Sequence, residues 1–326
     1  MRYLNPLILA VLMITLGDRT PVIAETQKIT VASATALLSV PFLIARDKGY
    51  FEDEGLTISY HQTESGKEAF ELLLNDPHMD ISMATQSPVV FNSFTNDGYV
   101  ILGGIATSYN DVKIIARDDR GIKSLADLKN KRIGVSKITT SHSFLSLVLT
   151  HNIILKSDIT LVDIAPPYLL KALAEGRVDA VATWEPNVIN ARELLKDSAI
   201  IMQTPEIYRE DFYIVARKEF VQNNPDAVMK FLKAIIRAES YIEKHREDAI
   251  ATAARIMGLE EGTVSAVWDD FKYHVYFDQV ILINLEDEAR WMIDEGISKT
   301  LKMPNYLKFI DPAPLNELRP EAVTVF

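Results

Sequence analysis

Lys131-Arg-Ile-Gly-Val-Ser136 reads as an apolar strand ending in a hydroxyl, and it answers Lys28-Ile-Thr-Val-Ala-Ser33 about a hundred residues earlier. The correspondence continues in order. Thr57-Ile-Ser-Tyr-His61 alternates as a strand, and so does Thr160-Leu-Val-Asp-Ile164. A short helix over Lys67 to Leu74 stops at Asn75-Asp76-Pro77, and one over Tyr168 to Glu175 stops at Gly176. Each is followed by Asp and an apolar strand, Asp80-Ile-Ser-Met-Ala84 and Asp179-Ala-Val-Ala-Thr183. Few residues are identical, so what repeats is the order of elements. Strands alternating with helices imply parallel strands joined by crossover helices. The chain therefore reads as two α/β lobes facing one another across a groove.

Two further segments mark where the chain changes lobe. Val112-Lys-Ile-Ile-Ala-Arg117 and Phe212-Tyr-Ile-Val-Ala-Arg217 are apolar strands with the same Ala-Arg ending, one at each edge of the second repeat. They read as paired hinge strands joining lobe 1 (residues 27–112 with 218–326) to lobe 2 (residues 118–211). Beyond them the pattern is helical. Asn224 reads as a cap and Pro225 as a first-turn residue. Val228, Phe231, Leu232, Ile235, Ala238 and Ile242 then share one face. Helices are also expected over 247–257, 260–272 and 286–299, packed on lobe 1, with the aromatics between Trp268 and Phe277 as core.

In open α/β sheets ligands bind beyond the carboxyl ends of the strands. That rule selects Ser33 to Leu38, Thr85 to Ser87, Ser136 to Ser143 and Thr183 to Glu185, with Glu64-Ser65-Gly66 beside them. The candidate ligand residues are Ser33, Thr35, Ser65, Gln86 and Ser87 from lobe 1, and Thr139, Thr140, Ser141, Trp184 and Glu185 from lobe 2. Tyr109 and Asp211, at the two crossings, would line the back of the cleft. Helix-end N–H groups next to Thr139 to Ser143 suit an anion, and Trp184 offers an apolar wall. Helix capping is the alternative for Ser65 and the Thr139 stretch, and hinge packing for Tyr109 and Asp211. His142, standing alone, reads as a surface residue.

The chain has 326 residues, 48% hydrophobic and 24% charged, and no cysteine. It is long enough to be held by its core alone. Absence of cysteine removes disulfides, thiol nucleophiles and Cys-ligated zinc. The six histidines (61, 78, 142, 151, 245 and 274) include no pair at metal spacing, so neither metal nor cofactor is expected. Neither a G-x-S-x-G elbow nor a phosphate-binding glycine loop is present, and an enzyme is not expected. A net charge of −11 with no basic cluster disfavours nucleic acid. Arg2, the apolar run Leu7 to Leu16 and Val22-Ile23-Ala24 together read as a secretory signal peptide over residues 1–24.

Pro41-Phe-Leu-Ile-Ala-Arg-Asp-Lys-Gly-Tyr-Phe-Glu-Asp-Glu-Gly-Leu56 resembles the first-helix signature of periplasmic substrate-binding proteins for nitrate, sulfonate, taurine and pyrimidine precursors. Ile122-Lys-Ser-Leu-Ala-Asp-Leu-Lys-Asn-Lys-Arg-Ile-Gly-Val135 is similar to that family's entry into lobe 2, and Gly176-Arg-Val-Asp-Ala180 and Trp184-Glu-Pro186 follow in the same order. The resemblance implies a two-lobed periplasmic-binding-protein-like II fold closing by hinge motion on a small ligand, with the Thr139 loop taking an acidic head group. It implies ABC permease and ATPase subunits as partners, a monomer, and a periplasmic location. A binding protein serving a sensory partner is the alternative. The pyrimidine-synthesising branch, which uses a cysteine-rich motif, is excluded by composition. Sulfonate, carboxylate and zwitterionic ligands suit the hydroxyl-rich loop, Glu185 and Trp184 together.

Overall fold

A computed structural model describes residues 26–325; the expected signal peptide lies outside them. The first stretch runs β1 (Gln27–Ala34), α1 (Val40–Asp47), α2 (Tyr50–Asp53), β2 (Leu56–Thr63), α3 (Gly66–Asn75), β3 (Ile81–Thr85), α4 (Gln86–Ser93) and β4 (Tyr99–Ser108). The second runs β5 (Lys113–Arg117), β6 (Arg132–Val135), α5 (Thr140–His151), β7 (Thr160–Asp163), α6 (Pro166–Ala174), β8 (Ala180–Thr183), α7 (Asn187–Leu195) and β9 (Ala199–Ile201). The return is β10 (Glu210–Arg217), α8 (Lys218–Asn223), α9 (Pro225–Lys244), α10 (Arg246–Met257), α11 (Glu261–Val267), β11 (Phe271–Tyr276), α12 (Gln279–Asp294) and α13 (Ala313–Leu318).

The two sheets are built alike. Sheet order is β11-β4-β10-β3-β1-β2 in lobe 1 and β7-β6-β8-β5-β9 in lobe 2. Each contains a parallel trio with the first strand of its repeat in the middle: β2-β1-β3 and β7-β6-β8. The Asp ahead of each third strand has one task in both lobes. Its carboxylate accepts the N–H of an opening residue of the first strand, Thr30 to Asp80 at 2.8 Å and Arg132 to Asp179 at 2.9 Å.

The segments expected to pair with each other as hinge strands do not. β5 lies antiparallel between β8 and β9, whereas β10 lies antiparallel between β3 and β4. Their likeness has another cause: each flanks the third strand of its own sheet. The arginine ending each strand donates to carbonyls at the C-terminal end of the repeat's own helix. Arg117 reaches Leu173 at 3.1 Å and Ala174 at 2.5 Å, and Arg217 reaches Leu73, Asp76 and Met79. Cations there satisfy helix-end carbonyls and oppose the negative end of the helix dipole. The crossings themselves are the short segments 109–112 and 202–209.

The tail packs on lobe 1 as expected, and its residues join the lobe 1 core. Phe231 of α9 is fully buried, stacked on Phe51 at 4.9 Å and Phe42 at 6.4 Å. Phe231→Ala is expected to cost about 3–5 kcal/mol, read as a lower urea midpoint at unchanged m-value. Three tail expectations are corrected. Asn224 does not cap α9; its side chain donates to the Phe220 carbonyl at 3.1 Å, completing α8. The helix expected over 260–272 ends at Val267 and becomes β11, because Tyr273 and Tyr276 pair with β4. The helix expected from 286 begins at Gln279, where the Asp278 carboxylate caps it through the Ile281 N–H. Gly104 on β4 makes room for β11: a Cβ there would lie 2.2 Å from the Tyr276 ring.

Candidate functional site

The carboxyl ends of β1, β3, β6 and β8 converge where the two sheets face one another. Between them is a cavity of about 30 Å³ lined by Ala34, Ala36, Leu38, Ser65, Thr85, Pro88 and Phe212 on the lobe 1 side. Asp111, Thr139, Thr140 and Trp184 line the other side, and Glu210 lies at the base of β10. That volume holds about two waters.

Of the residues nominated from sequence, Ser65, Thr139, Thr140 and Trp184 line this cavity. Ser65 also caps α3, accepting from the Glu68 N–H at 3.2 Å. Ser141 is fully buried one step behind the wall, its hydroxyl 2.9 Å from that of Thr139. Ser33 and Thr35 sit at the end of β1 in contact with Tyr60: the Tyr60 hydroxyl donates to the Ser33 carbonyl at 3.0 Å and lies 3.4 Å from Thr35 Oγ1. Tyr109 is about half exposed, away from the cavity.

The remaining nominees tie the structure together around the cleft. Gln86 donates to the Tyr208 hydroxyl at 3.0 Å and the Arg209 carbonyl at 2.9 Å, and accepts from the Asp211 N–H at 3.1 Å. Asp211 is ion-paired with Arg209 at 2.8 Å and accepts from Tyr213, Tyr276 and Asn284. Glu185 is ion-paired with Lys113 at 3.3 Å and accepts from the Ile189 N–H at 3.0 Å. Ser87 and Ser143, one from each lobe, lie 3.1 Å apart and both donate to Glu288 of α12. His142 is buried, not on the surface, because the first turn of α5 docks against α12; its ring meets Trp291 edge-on at 5.1 Å. Burial pushes its pKa down to about 4, so it is neutral at physiological pH.

Sequence reasoning missed the two acids that face the cavity. It took Asp211 at the second crossing, but side chains alternate along a strand. On β10, Glu210 and Phe212 turn into the cleft and Asp211 turns the other way. At the first crossing it took Tyr109 and not Asp111, two residues on. Asp111 and Glu210 are both 2% exposed. Burial first, then the nearby charge of Glu185, raises the Asp111 carboxyl to about 7, although contact with Glu210 opposes the shift. Glu210 is pushed up by burial and by the charge of Asp111. Two such groups in contact disfavour being ionised together.

Residues 38–249 match the NMT1/THI5-like family. The chain belongs to that family. A Bacillus subtilis protein named as binding aliphatic sulfonates is 29% identical over 70% of this chain and 69% of its own length. The taurine-binding periplasmic protein of Escherichia coli is 25% identical over 74% of this chain and 76% of its own length. Among solved structures, the alkanesulfonate-binding protein SsuA of Xanthomonas axonopodis bound to MOPS superposes with a TM-score of 0.77 at 19% identity, covering 88% of this chain and 99% of that one. The sulphonate-binding SsuA of Escherichia coli gives 0.71 at 19% identity, covering 87% and 99%. This NMT1/THI5-like chain thus has the two-lobed α/β fold of periplasmic binding proteins. The desulfurization enzyme DSZB shares that fold at a TM-score of 0.66 and 18% identity, so the fold by itself does not exclude catalysis.

Proposed function

We propose that this protein is the extracytoplasmic solute-binding component of an ABC importer. It captures a small sulfonate, carboxylate or zwitterion by hinge closure and hands it to a permease and ATPase. The observation that carries the reading is the cavity: strand ends from two separate sheets line it, and two short crossings alone join those sheets in the chain. A hinge needs only a few residues at such crossings. The names of the sulfonate- and taurine-binding relatives support the solute class. The lobes are residues 27–108 with 210–325, and 113–201, working as a monomer in the periplasm.

A thermal-shift screen of sulfonates, taurine, nitrate, bicarbonate, amino-pyrimidines and aromatic acids tests the reading. A ligand at a hundred times its Kd adds about 2.7 kcal/mol, which in a chain of this size raises Tm by roughly 5 °C. Trp184 is the largest side chain of the lobe 2 wall. Trp184→Ala is expected to weaken binding of the hit at least tenfold in calorimetry while the ligand-free protein stays folded, with a lower Tm because the indole also packs on the lobe 2 core. Turnover of a solute, with no Tm rise for any, overturns the importer reading.

A further inference from the structure

The helix end that the sequence offered to a ligand's acidic head already faces an acid of the protein itself. The Thr140 hydroxyl, at the start of α5, and the Asp111 carboxyl both lie beside the Glu210 carboxylate. Glu210 lines the cavity, and its Oε2 is buried with no hydrogen-bond partner. A buried acceptor left unpaired is costly, and this one belongs to a residue of the cavity wall.

The charges facing this pair come from several elements. Lys113 of β5 lies near Asp111 but is held by Glu185, Asp270 and the Asn110 carbonyl. Glu185 and Asp211 add further negative charge. The buried hydroxyls of Tyr208 and Tyr273 feel Glu210 and Asp111 in turn. Lys67, the one cation among the cavity-lining residues, donates outward to the Lys137 carbonyl at 3.3 Å. The base of the cavity is therefore acidic and rich in acceptors, with apolar walls from Leu38, Pro88, Trp184 and Phe212.

We propose that Asp111 and Glu210 form a subsite for a cationic N–H donor, so that the cleft selects solutes carrying an ammonium or amidinium head over anions that lack one. The proposal rests on the solute-binding reading and narrows its ligand class. A cation entering here gives Glu210 Oε2 its missing donor and takes the place of a proton held by the pair. A bare sulfonate at the same depth meets two carboxyl groups, and binding it requires both to stay protonated.

Calorimetry with matched probes tests this. Taurine is compared with ethanesulfonate, and benzamidine with benzoate, against wild type, Glu210→Gln and Asp111→Asn, with urea unfolding of each variant to establish folding. At least one amine probe is expected to bind tenfold or more tightly than its partner, with that preference lost in Glu210→Gln. Binding of an amine probe is also expected to release a proton, seen as a heat that changes with the ionisation enthalpy of the buffer. The proposal is overturned if neither amine probe binds more tightly than its partner, or if the preference survives in a folded Glu210→Gln. The importer reading falls separately, on turnover of a solute with no Tm rise for any.

Discussion

Lys113→Met is expected to lower folding stability by about 3–5 kcal/mol at pH 8, the cost of leaving one partner of a buried ion pair alone. Lys113 is 7% exposed and Glu185 fully buried. The ammonium sits 3.3 Å from Glu185 Oε1, 3.3 Å from Asp270 Oδ2 and 2.5 Å from the Asn110 carbonyl. It thus ties the first crossing to the Trp184 loop of lobe 2 and to the turn before β11 in lobe 1. Burial already raises the Glu185 carboxyl, and Lys113 is the largest influence holding it down. Without Lys113 the acid escapes its cost by taking a proton, so the loss should shrink at pH 5. Lys113→Met combined with Glu185→Gln should recover much of the loss, because the fully buried acid is then neutral and the remaining partner, Asp270, is partly exposed to solvent. Urea midpoints at pH 5 and 8 check all three. A loss below about 1 kcal/mol at pH 8 would mean that water reaches this pair.

The repeat made the architecture legible, because its cues are local. Apolar alternation, helix stops at Asn75-Asp76-Pro77 and Gly176, and the Asp ahead of β3 and β8 each act within a few residues of themselves. The partners of Arg117 and Arg217 were not legible: an Ala-Arg ending marks equivalent strands, but which strand lies alongside is settled by long-range pairing. The site was partly legible for a similar reason. Strand-end geometry led to Ser65, Thr139, Thr140 and Trp184, each within a few residues of a strand end. The acids at the crossings depend on strand parity, and an error of one residue turns Glu210 into Asp211. Glu288 gave no signal, since it lies mid-helix in the tail and meets Ser143 only when α12 packs against the other lobe.

Glu288 should make folding stability pH-dependent through its contact with both lobes. It is 6% exposed, and its Oε1 accepts from Ser87 of lobe 1 at 2.5 Å and from Ser143 of lobe 2. Burial raises its carboxyl from 4.5 to about 7, against the pull of the two hydroxyls. At about 1.4 kcal/mol per unit, that shift corresponds to about 3 kcal/mol. The sign follows from linkage. The folded form holds the proton more tightly than solvated Glu288 does, so its contribution is complete below about pH 4.5 and is lost as pH rises through about 7. Asp111 and Glu210, also raised, act in the same direction. His142 and His274, pushed down to about 4 by burial, act in the opposite direction because an unfolded histidine takes up a proton near 6.5. The informative quantity is therefore the difference between wild type and Glu288→Gln, in which these other groups cancel. Glutamine keeps the shape and an acceptor for the serines but cannot ionise. The two proteins should have similar stability at pH 5, and the variant should exceed wild type by about 1–3 kcal/mol at pH 8. Urea unfolding at half-unit pH steps gives that difference directly. Parallel curves from pH 5 to 8 would show that Glu288 carries no pH dependence, and the contact between the lobes would then rest on the two serines alone.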